Sequence, residues 1–519
     1  MRTYNFPAGG ISFEDPAAPT GAGSLLAFLP AVSVVPLQQH AGSPAGPVVR
    51  VGDTICEGEL LAQAQGAGSA DIHAPIPGEI VRTHRWPLSS VQKNEAFVIK
   101  FKGSFEILGK KTTEFPWNDT PPFELRALIR KAGIVEMSGG DRPLQDRFAE
   151  NFRESSLRAL VVRCVFDDAW LAADACLCRE RTAVVAEGAC IAARAAEADR
   201  IIFAVSKNRR EIGKALAEEA KKLNMPAELV QVGYRYPQHG RRELEIALRK
   251  YEKKTQDPLG ALLFVGPAEL AAVYDAVKLR KPLMSRYVAV GGSAVRMPAI
   301  VNARIGTRIG ELFRQCGGFK KEPEHIGFGS TLLGRRAMSL DEPVTKTTYA
   351  VFAEAAPFFS FLKKIPFIQL RTSCVNCGLC RTVCPVGLDP DGVYKRLTTS
   401  GIDDTYSCLI AECHGCACCE AVCPSRLPLY NVIKGLSNKS LTTPKDPPVQ
   451  QGVSIEQGLA IEKGVSAEKD VSTEKDISAE QDVSTEKDVS TEKDVSTEKG
   501  LSTKKGVSAK KGTSREKPQ

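Results

Sequence analysis

The sequence has 519 residues, of which 43% are hydrophobic and 25% charged, with a formal net charge of +8. This length is too great for one hydrophobic core and predicts several domains. No apolar run could cross a bilayer, and the cations alternate with acids rather than aromatics, which argues against a nucleic-acid surface. The first ten residues lack the apolar core of a signal peptide, so the sixteen cysteines are expected as metal-binding or free thiols in a reducing compartment.

Residues 1–110 are predicted to form a β-sandwich. Short β-branched stretches, separated by Gly and Pro, are typical of a small all-β domain; they lie at residues 32–36, 48–53, 59–62, 72–78 and 97–101. The pattern resembles the biotinyl/lipoyl-like fold at Val51, Gly52, Asp53, Gly58, Leu61, His73, Ala74, Pro75 and Gly78. No lysine lies near the turn that would carry a cofactor. We therefore expect a structural module without lipoate or biotin.

Residues 120–285 are predicted to form an α/β domain. Four apolar segments indicate buried strands, and they lie at residues 158–162, 200–205, 227–232 and 260–265. Residues 211–223 and 268–277 between them have helical periodicity, which is typical of a layered α/β fold. The short β-rich stretch that follows, assigned to residues 286–345, is predicted to be a β-grasp-like module.

Residues 346–435 contain the motif C-x2-C-x2-C-x3-C-P twice, once from Cys374 to Pro385 and once from Cys413 to Pro424. This spacing is typical of two 4Fe-4S clusters, with the fourth cysteine of each motif bound to the other cluster. It predicts one cluster on Cys374, Cys377, Cys380 and Cys423, and a second on Cys413, Cys416, Cys419 and Cys384. Two zinc knuckles are the alternative, but zinc sites normally separate two ligand pairs by a longer stretch. Cys408 and Cys418 fall outside the motifs and are expected to be small buried hydrophobic residues.

Residues 436–519 are predicted to be a disordered, low-complexity tail. A hexad of the type Val-Ser-Thr-Glu-Lys-Asp repeats between residues 453 and 512. One apolar residue in six is compatible with a left-handed β-helix. The same composition buries too little surface to offset the entropy of ordering, which favours a disordered and charged extension.

This order of domains resembles the RnfC subunit of the Rnf ion-translocating electron transport complex over residues 5–435. Its middle domain is related to the NADH-binding flavoprotein subunit of respiratory complex I. Besides the cysteines, short segments carry the resemblance; they lie at residues 9–10, 36–42, 73–75, 236–238, 298, 306–307 and 343–346. The resemblance implies a peripheral subunit on the cytoplasmic side of the membrane, without a transmembrane helix of its own.

The flavin and nicotinamide site that the resemblance implies has diverged in this sequence. The family has a glycine-rich loop whose backbone amides can approach a phosphate, whereas residues 136–143 contain Glu136 and Asp141 where that anion would bind. The candidate binding residues for FMN or NADH are Gly139, Gly140, Asp167 and Asp168. Two further pocket segments, near residues 163–168 and 235–242, also differ from the family pattern. FMN binding is therefore expected to be weak.

Two functions are compatible with the sequence. In the first, the chain transfers electrons between a nicotinamide or ferredoxin pool and the membrane subunits of an Rnf-type complex. In the second, it is a non-catalytic iron–sulfur relay that has lost the flavin and nicotinamide site. The sequence predicts two 4Fe-4S clusters for both functions, so whether the chain is itself an enzyme depends on the flavin.

Overall fold

The computed structural model describes residues 2–20, 23–87, 93–110, 113–137, 140–149, 157–355, 373–399 and 410–442. Gly139, Cys408 and residues 443–519 lie outside these ranges, and so does the hexad repeat. Among the described residues, no helix combines the length and the apolar character needed to cross a membrane.

The N-terminal strands form two small antiparallel sheets, with the orders β2-β8-β7-β4 and β3-β5-β6. The strands are β2 Val32–Pro36, β3 Gly46–Pro47, β4 Thr54–Ile55, β5 Leu60–Gln63, β6 Ile72–His73, β7 Gly78–Pro87 and β8 Lys93–Phe101. The strand before them, β1 Ser24–Leu26, belongs to a different sheet. Val35, Leu61 and Ile99 are fully buried between the sheets. The strand predicted at residues 48–53 is wrong, because this segment is a turn that needs the left-handed φ of +96° at Gly52.

The next domain contains a parallel sheet of order β11-β10-β9-β12. Its strands are β9 Arg158–Cys164, β10 Arg200–Ser206, β11 Ala227–Val232 and β12 Ala261–Val265. The helices are α1 Pro122–Lys131, α2 Leu144–Ala149, α3 Ala172–Glu180, α4 Thr182–Ala195, α5 Arg210–Lys222, α6 Arg241–Thr255 and α7 Pro267–Val277. The four strands predicted from apolar segments are confirmed.

Helices cover both faces of this parallel sheet. Phe203 and Val205 of β10 pack against α5 on one face, while Ile202 and Ala204 pack against α6 on the other. Since successive side chains of a strand point to opposite faces, a strand between two helical layers must be apolar throughout. This explains why the sequence shows a continuous apolar segment here rather than an alternation.

A six-stranded mixed sheet follows, with the order β1-β14-β13-β17-β15-β16. Its additional elements are β13 Ser285–Gly291, β14 Ala299–Arg304, α8 Ile309–Gln315, β15 Pro323–Phe328, β16 Arg335–Arg336 and β17 Ala350–Ala355. Ile309, Leu312 and Phe313 of α8 are buried against one face. The sheet includes β1 and β17, which both lie outside the range 286–345 assigned from the sequence.

The cysteine-rich region is helical. Its elements are α9 Leu379–Thr382, α10 Pro390–Thr399, α11 Cys418–Ala421 and α12 Leu429–Thr442. Helix α12 continues seven residues past residue 435, where the sequence places the end of this region. The N-terminal segment, residues 2–12, contacts two domains: Tyr4 pairs with Val232 of the α/β domain, and the N–H of Gly10 donates to the carbonyl of Val383 in the cysteine-rich region at 2.8 Å.

Candidate metal centre

The two cysteine motifs fold in the same way. In the first, Asn376 and Gly378 have φ angles of +57° and +73°; in the second, Gly415 and Ala417 have +68° and +59°. Left-handed residues reverse the chain sharply, so the first three cysteines of each motif curl around one point. A four-residue helix, α9 or α11, then carries the chain away towards the fourth cysteine.

The first cavity of this region is lined by Cys374, Cys377, Cys380 and Cys423. We call these four residues the outer site. Three of them come from the first motif and Cys423 comes from the second. Cys380 is buried, whereas Cys377 is exposed, and the neighbouring Val375 and Leu379 are 61% and 46% exposed.

The second cavity is lined by Cys384, Cys413, Cys416 and Cys419. We call these four residues the inner site. Cys384 here is the fourth cysteine of the first motif, so the exchange of fourth cysteines between the motifs is reciprocal. Cys418 is fully buried and does not line either cavity.

The number and type of donors at each site fit a 4Fe-4S cluster, which takes four thiolates and supplies one-electron redox chemistry when bound. In the part of the chain that the structure describes, no three His, Cys, Asp or Glu residues converge as they would around a single metal ion.

Nearby groups can stabilise negative charge on the sulfurs. The backbone N–H groups of Leu388 and Gly415 donate to the Sγ atoms of Cys384 and Cys413, at 3.2 and 3.4 Å. Hydrogen bonds to ligand sulfur and burial are the protein's means of setting a cluster potential. Both of these bonds are at the inner site.

At the outer site, an ion pair lies against the buried thiol of Cys380. The Sγ atom of Cys380 is 3.4 Å from Oδ1 of Asp391, and Arg381 donates to both oxygens of Asp391 at 2.6 and 2.8 Å. These charge-assisted bonds from Arg381 hold the pKa of Asp391 well below its usual range.

The inner site abuts the α/β domain. The hydroxyl of Tyr236 donates to the backbone carbonyl of Cys416 at 3.0 Å, and Glu243 of α6 binds the ring of His414. Gly9 packs so closely that a Cβ atom there would overlap the carbonyl of Cys384. The sequence alone does not indicate these roles for Tyr236, Glu243 or Gly9. One local signal for such a contact is His414, an ionisable side chain inside a cysteine motif.

In the loop at residues 136–143, of which 136–137 and 140–143 are described, an acidic side chain occupies the space where a phosphate would be expected. The Glu136 carboxylate lies over Gly140, where a Cβ atom would overlap it, and is 3.0 Å from Nε of Arg147. The backbone N–H of Glu136 donates to the carbonyl of Arg142. Burial outweighs the attraction of Arg147 and raises the pKa of Glu136. The residues described here do not fit an anionic flavin phosphate.

The other two candidate flavin residues are bound within the chain. Both oxygens of Asp167 face His239, with Oδ1 2.7 Å from Nδ1 and Oδ2 accepting the backbone N–H at 3.2 Å. Asp168 accepts the N–H of Trp170 at 2.9 Å. Burial opposes protonation of His239, but the Asp167 carboxylate outweighs it and raises the pKa of His239. Asp167 and Asp168 therefore lie together, but their carboxylates serve this local network.

Three family models match the sequence. They are the RnfC barrel sandwich hybrid domain over residues 8–104, the Nuo51 FMN-binding domain over residues 129–262 and the SLBB domain over residues 287–326. The first range contains the two antiparallel sheets, and the second contains most of the parallel sheet. The chain is thus a mixed α/β multidomain protein with an N-terminal barrel-sandwich domain and a Nuo51-like flavoprotein fold.

Curated relatives extend the similarity through most of the described chain. The C subunit of the ion-translocating oxidoreductase complex of Rhodobacter capsulatus is 30% identical over 381 residues, which cover 72% of this chain and 71% of that protein. The protein of the same name from Pseudomonas aeruginosa is 32% identical, over 70% of this chain and 46% of its own. The C subunit of the proton-translocating ferredoxin:NAD(+) oxidoreductase complex of Clostridium ljungdahlii is 27% identical, over 73% of this chain and 81% of that protein.

The chain belongs to the RnfC family, the C subunits of the Rnf ion-translocating oxidoreductase complexes. Among solved structures, an NAD+-reducing NiFe hydrogenase in the air-oxidized state has a TM-score of 0.41 and 13% identity over 74% of this chain and 77% of that one. That similarity is too low to support an inference.

Proposed function

We propose that this chain is the peripheral electron-transfer subunit of an Rnf-type membrane complex and carries single electrons through two 4Fe-4S clusters. The observation that supports this most directly is the grouping of eight motif cysteines into two sets of four, each around its own cavity. Membership of the RnfC family supports the role in a larger complex.

In this proposal the inner and outer sites form a short relay. The inner site is covered by Tyr236, Glu243 and the N-terminal segment, so it exchanges electrons on the side of the α/β domain. The outer site has the exposed Cys377 and exchanges electrons with another subunit. The thiolates hold the clusters, and the surrounding chain limits water and fixes the distance between them.

The proposed partners are the membrane subunits of the complex, with an NAD(H) or ferredoxin pool at the other end. The name of the Clostridium ljungdahlii relative joins these two redox partners. The proposed location is the cytoplasmic face of the membrane. The proposed domains are 1–110, 120–285 and a β-grasp-like module, assigned to 286–345 and extended by β17 to Ala355, followed by a ferredoxin-like dicluster region. Because α12 ends at Thr442, we move the proposed start of the disordered tail from residue 436 to residue 443.

A second candidate is a relay that binds no flavin. It is favoured by the Glu136 carboxylate over Gly140 and by the internal bonds of Asp167 and Asp168. Placing a phosphate beside these carboxylates would add like-charge repulsion in a partly desolvated pocket. In this version electrons reach the inner site from a protein partner, and the α/β domain serves as a scaffold.

Cysteine variants test the cluster proposal. Anaerobically reconstituted protein should contain about eight irons and as many acid-labile sulfides. Cys377→Ser should remove the outer-site electron paramagnetic resonance signal, whereas Cys416→Ser and Cys384→Ser should remove the inner-site signal. Cys56→Ser, which changes an exposed cysteine outside both motifs, is the control and should keep both. Equal loss of both signals in Cys384→Ser would contradict the exchange of fourth cysteines.

Flavin content separates the two candidates. Bound flavin with NADH-dependent bleaching of the clusters would favour the dehydrogenase. Full iron and sulfide without flavin, together with bleaching by a small chemical reductant but not by NADH, would favour the relay. Both measurements are made on the same anaerobic sample, so loss of the clusters cannot be mistaken for loss of the flavin.

A further inference from the structure

A basic groove runs along the outer edge of the parallel sheet, and none of the motif cysteines lines it. Its volume is about 1080 Å³. Lys207 follows β10 directly, and Gly233 and Tyr234 follow β11, so one end lies at the carboxyl edge of the sheet. Its cationic lining residues are Arg2, Lys207, Arg235, Lys250, Lys253 and Lys254.

The charge of this groove is not neutralised within the described chain. None of its described lining residues is Asp or Glu. The acids of the same helix bind elsewhere, since Glu252 and Glu245 pair with Arg249 at 3.0 and 3.8 Å. Lys253 and Lys254 are exposed. Cations held together without acids repel one another, and an anionic partner relieves that repulsion.

The length of the groove favours a protein over a small anion. The lining extends from Gln238, before α6, to Lys254 in the last turn of that helix. At 1.5 Å per residue along α6, this lining spans roughly 20 Å. A single phosphate would contact a small part of this length. A flat layer of lipid headgroups would also fit poorly, because the charges line a concave surface.

The groove is connected to the inner site by a short piece of chain. Asn5 and Phe6 line the groove, where Lys250 donates to the carbonyl of Asn5 at 2.9 Å and the Arg235 guanidinium lies 4.6 Å from the Phe6 ring centre. Pro7 also lines it. Gly9, two residues on, packs against Cys384. Two residues span at most about 7 Å, so a protein in the groove would lie close to the inner site.

We propose that this groove docks a small acidic electron-carrier protein, which exchanges one electron with the cluster at the inner site. The inference rests on the proposed function, because it requires a cluster there. In the forward direction the reduced carrier loses one electron and the inner-site cluster gains it, and no bond is made or broken. Tyr234, 49% exposed, provides an aromatic contact among the cations.

The test compares two charge-reversed variants of the full chain. Lys253→Glu/Lys254→Glu changes the groove, and Lys214→Glu/Lys221→Glu makes the same change in charge on α5, across the sheet. All four lysines are exposed. The probe is a small acidic 2Fe-2S ferredoxin, and stopped-flow absorbance follows cluster reduction at several salt concentrations. Reduced methyl viologen serves as a second reductant. Because it is a cation, it is not attracted to the basic groove, and its rate reports cluster reduction that does not depend on the groove.

We expect the groove variant to lower the second-order rate constant with ferredoxin at least about tenfold at low salt. The α5 variant should keep the original rate, and both should react normally with viologen. Equal rate constants with ferredoxin in the two variants would overturn the proposal. So would a difference that disappears when ADP or anionic vesicles are added, because the groove would then bind those ligands instead. If viologen reduces no cluster in the unmodified protein, the proposed function fails instead; anisotropy titration with labelled ferredoxin then still tests the groove.

Discussion

Gly9 is a residue whose backbone conformation and surroundings both exclude a side chain. Its φ is +70°, and a Cβ atom there would overlap the carbonyl of Cys384. Gly52 also has a positive φ, +96°, but nothing lies within 4 Å of the position of a Cβ atom. The two glycines therefore separate the cost of a strained backbone from the cost of a steric clash.

Gly9→Ala should destabilise the protein more than Gly52→Ala. A left-handed alanine costs about 1 kcal/mol at either position, and the overlap at Gly9 adds about 1–3 kcal/mol. Urea unfolding measures this difference, and iron analysis should show partial loss of metal in Gly9→Ala alone. Equal stability of the two variants would mean that the segment shifts away from Cys384 without cost.

Lys346 is buried where the barrel, α1 and the mixed sheet meet. Its Nζ donates to the carbonyls of Asp71 and Gly133 at 2.6 and 2.7 Å. Burial lowers the pKa of Lys346 to about 7. Burial and then Lys346 lower the pKa of His40 to about 4 and that of His73 to about 3. Three bases from separate segments thus share one region and favour the neutral form of each other.

Lys346→Met should change how stability depends on pH. Between pH 7 and about 10.4 the unfolded chain keeps the Lys346 proton and the folded chain releases it, so the free energy of unfolding rises with pH. The unmodified protein should gain up to about 1.4 kcal/mol per pH unit relative to Lys346→Met. The loss of the two hydrogen bonds to the carbonyls lowers the free energy of unfolding by the same amount at every pH, so it does not change this slope. Urea unfolding from pH 7 to 9.5 measures this slope. Lys222→Met, a change on the protein surface, is the control and should show the same change of unfolding free energy with pH as the unmodified protein.

At the scale of elements, the loop at residues 136–143 joins α1 to α2 and closes on itself. Val135 pairs with Pro143, and Glu136 pairs with Arg147 at the other end. The loop also contacts the barrel, since the N–H of Ala41 donates to the carbonyl of Asp141 at 2.8 Å. Among the described residues of this loop, the N–H of Glu136 and the carbonyls of Asp141 and Arg142 are therefore bonded within the protein.

Glu136→Gly/Asp141→Gly should increase the affinity for FMN. The change removes two carboxylates and frees the space over Gly140, which is expected to improve binding at least about tenfold. Isothermal titration with FMN at pH 7 compares the variant with the unmodified protein. Glu124→Gly/Asp146→Gly makes the same charge change on the adjacent helices and should not improve binding. Tight binding by the unmodified protein would point to Arg142, Arg147 or Arg163 as phosphate ligands.

At the scale of the whole molecule, the domains share strands and segments. The edge strand β1 pairs with β14, some 270 residues later, and Tyr4 pairs with Val232 beside β11. Glu57 of the barrel is buried and binds Arg304 of β14 at 2.6 Å. These contacts tie the first hundred residues to the rest of the described chain at several points.

Truncation should show where the folded body ends. Removing residues 443–519 should leave the melting temperature and iron content unchanged, because the composition of that segment offers little surface to bury. Removing residues 429–519 should lower both, since Leu429 and Ile433 of α12 are buried beside the cysteine sites. A large drop in melting temperature after the shorter truncation would mean that the hexads contribute to folding.

The sequence by itself determined the features that depend on local spacing. The apolar strands of the parallel sheet and the sharing of four cysteines per site are both visible in the order of residues, because strand periodicity and motif spacing act over a few residues. The strand predicted at residues 48–53 failed for a local reason, since Gly52 requires a turn where the β-branched residues suggest a strand.

Tertiary structure alone decided which distant groups meet. It brought Tyr236 and Glu243 to the inner site, collected six cations from residues 2 to 254 into one groove, and gathered Lys346, His40 and His73 at one interface. It also placed the Glu136 carboxylate over Gly140. These contacts follow from how sheets and helices pack, and packing joins residues by the three-dimensional path of the chain rather than by their separation along it.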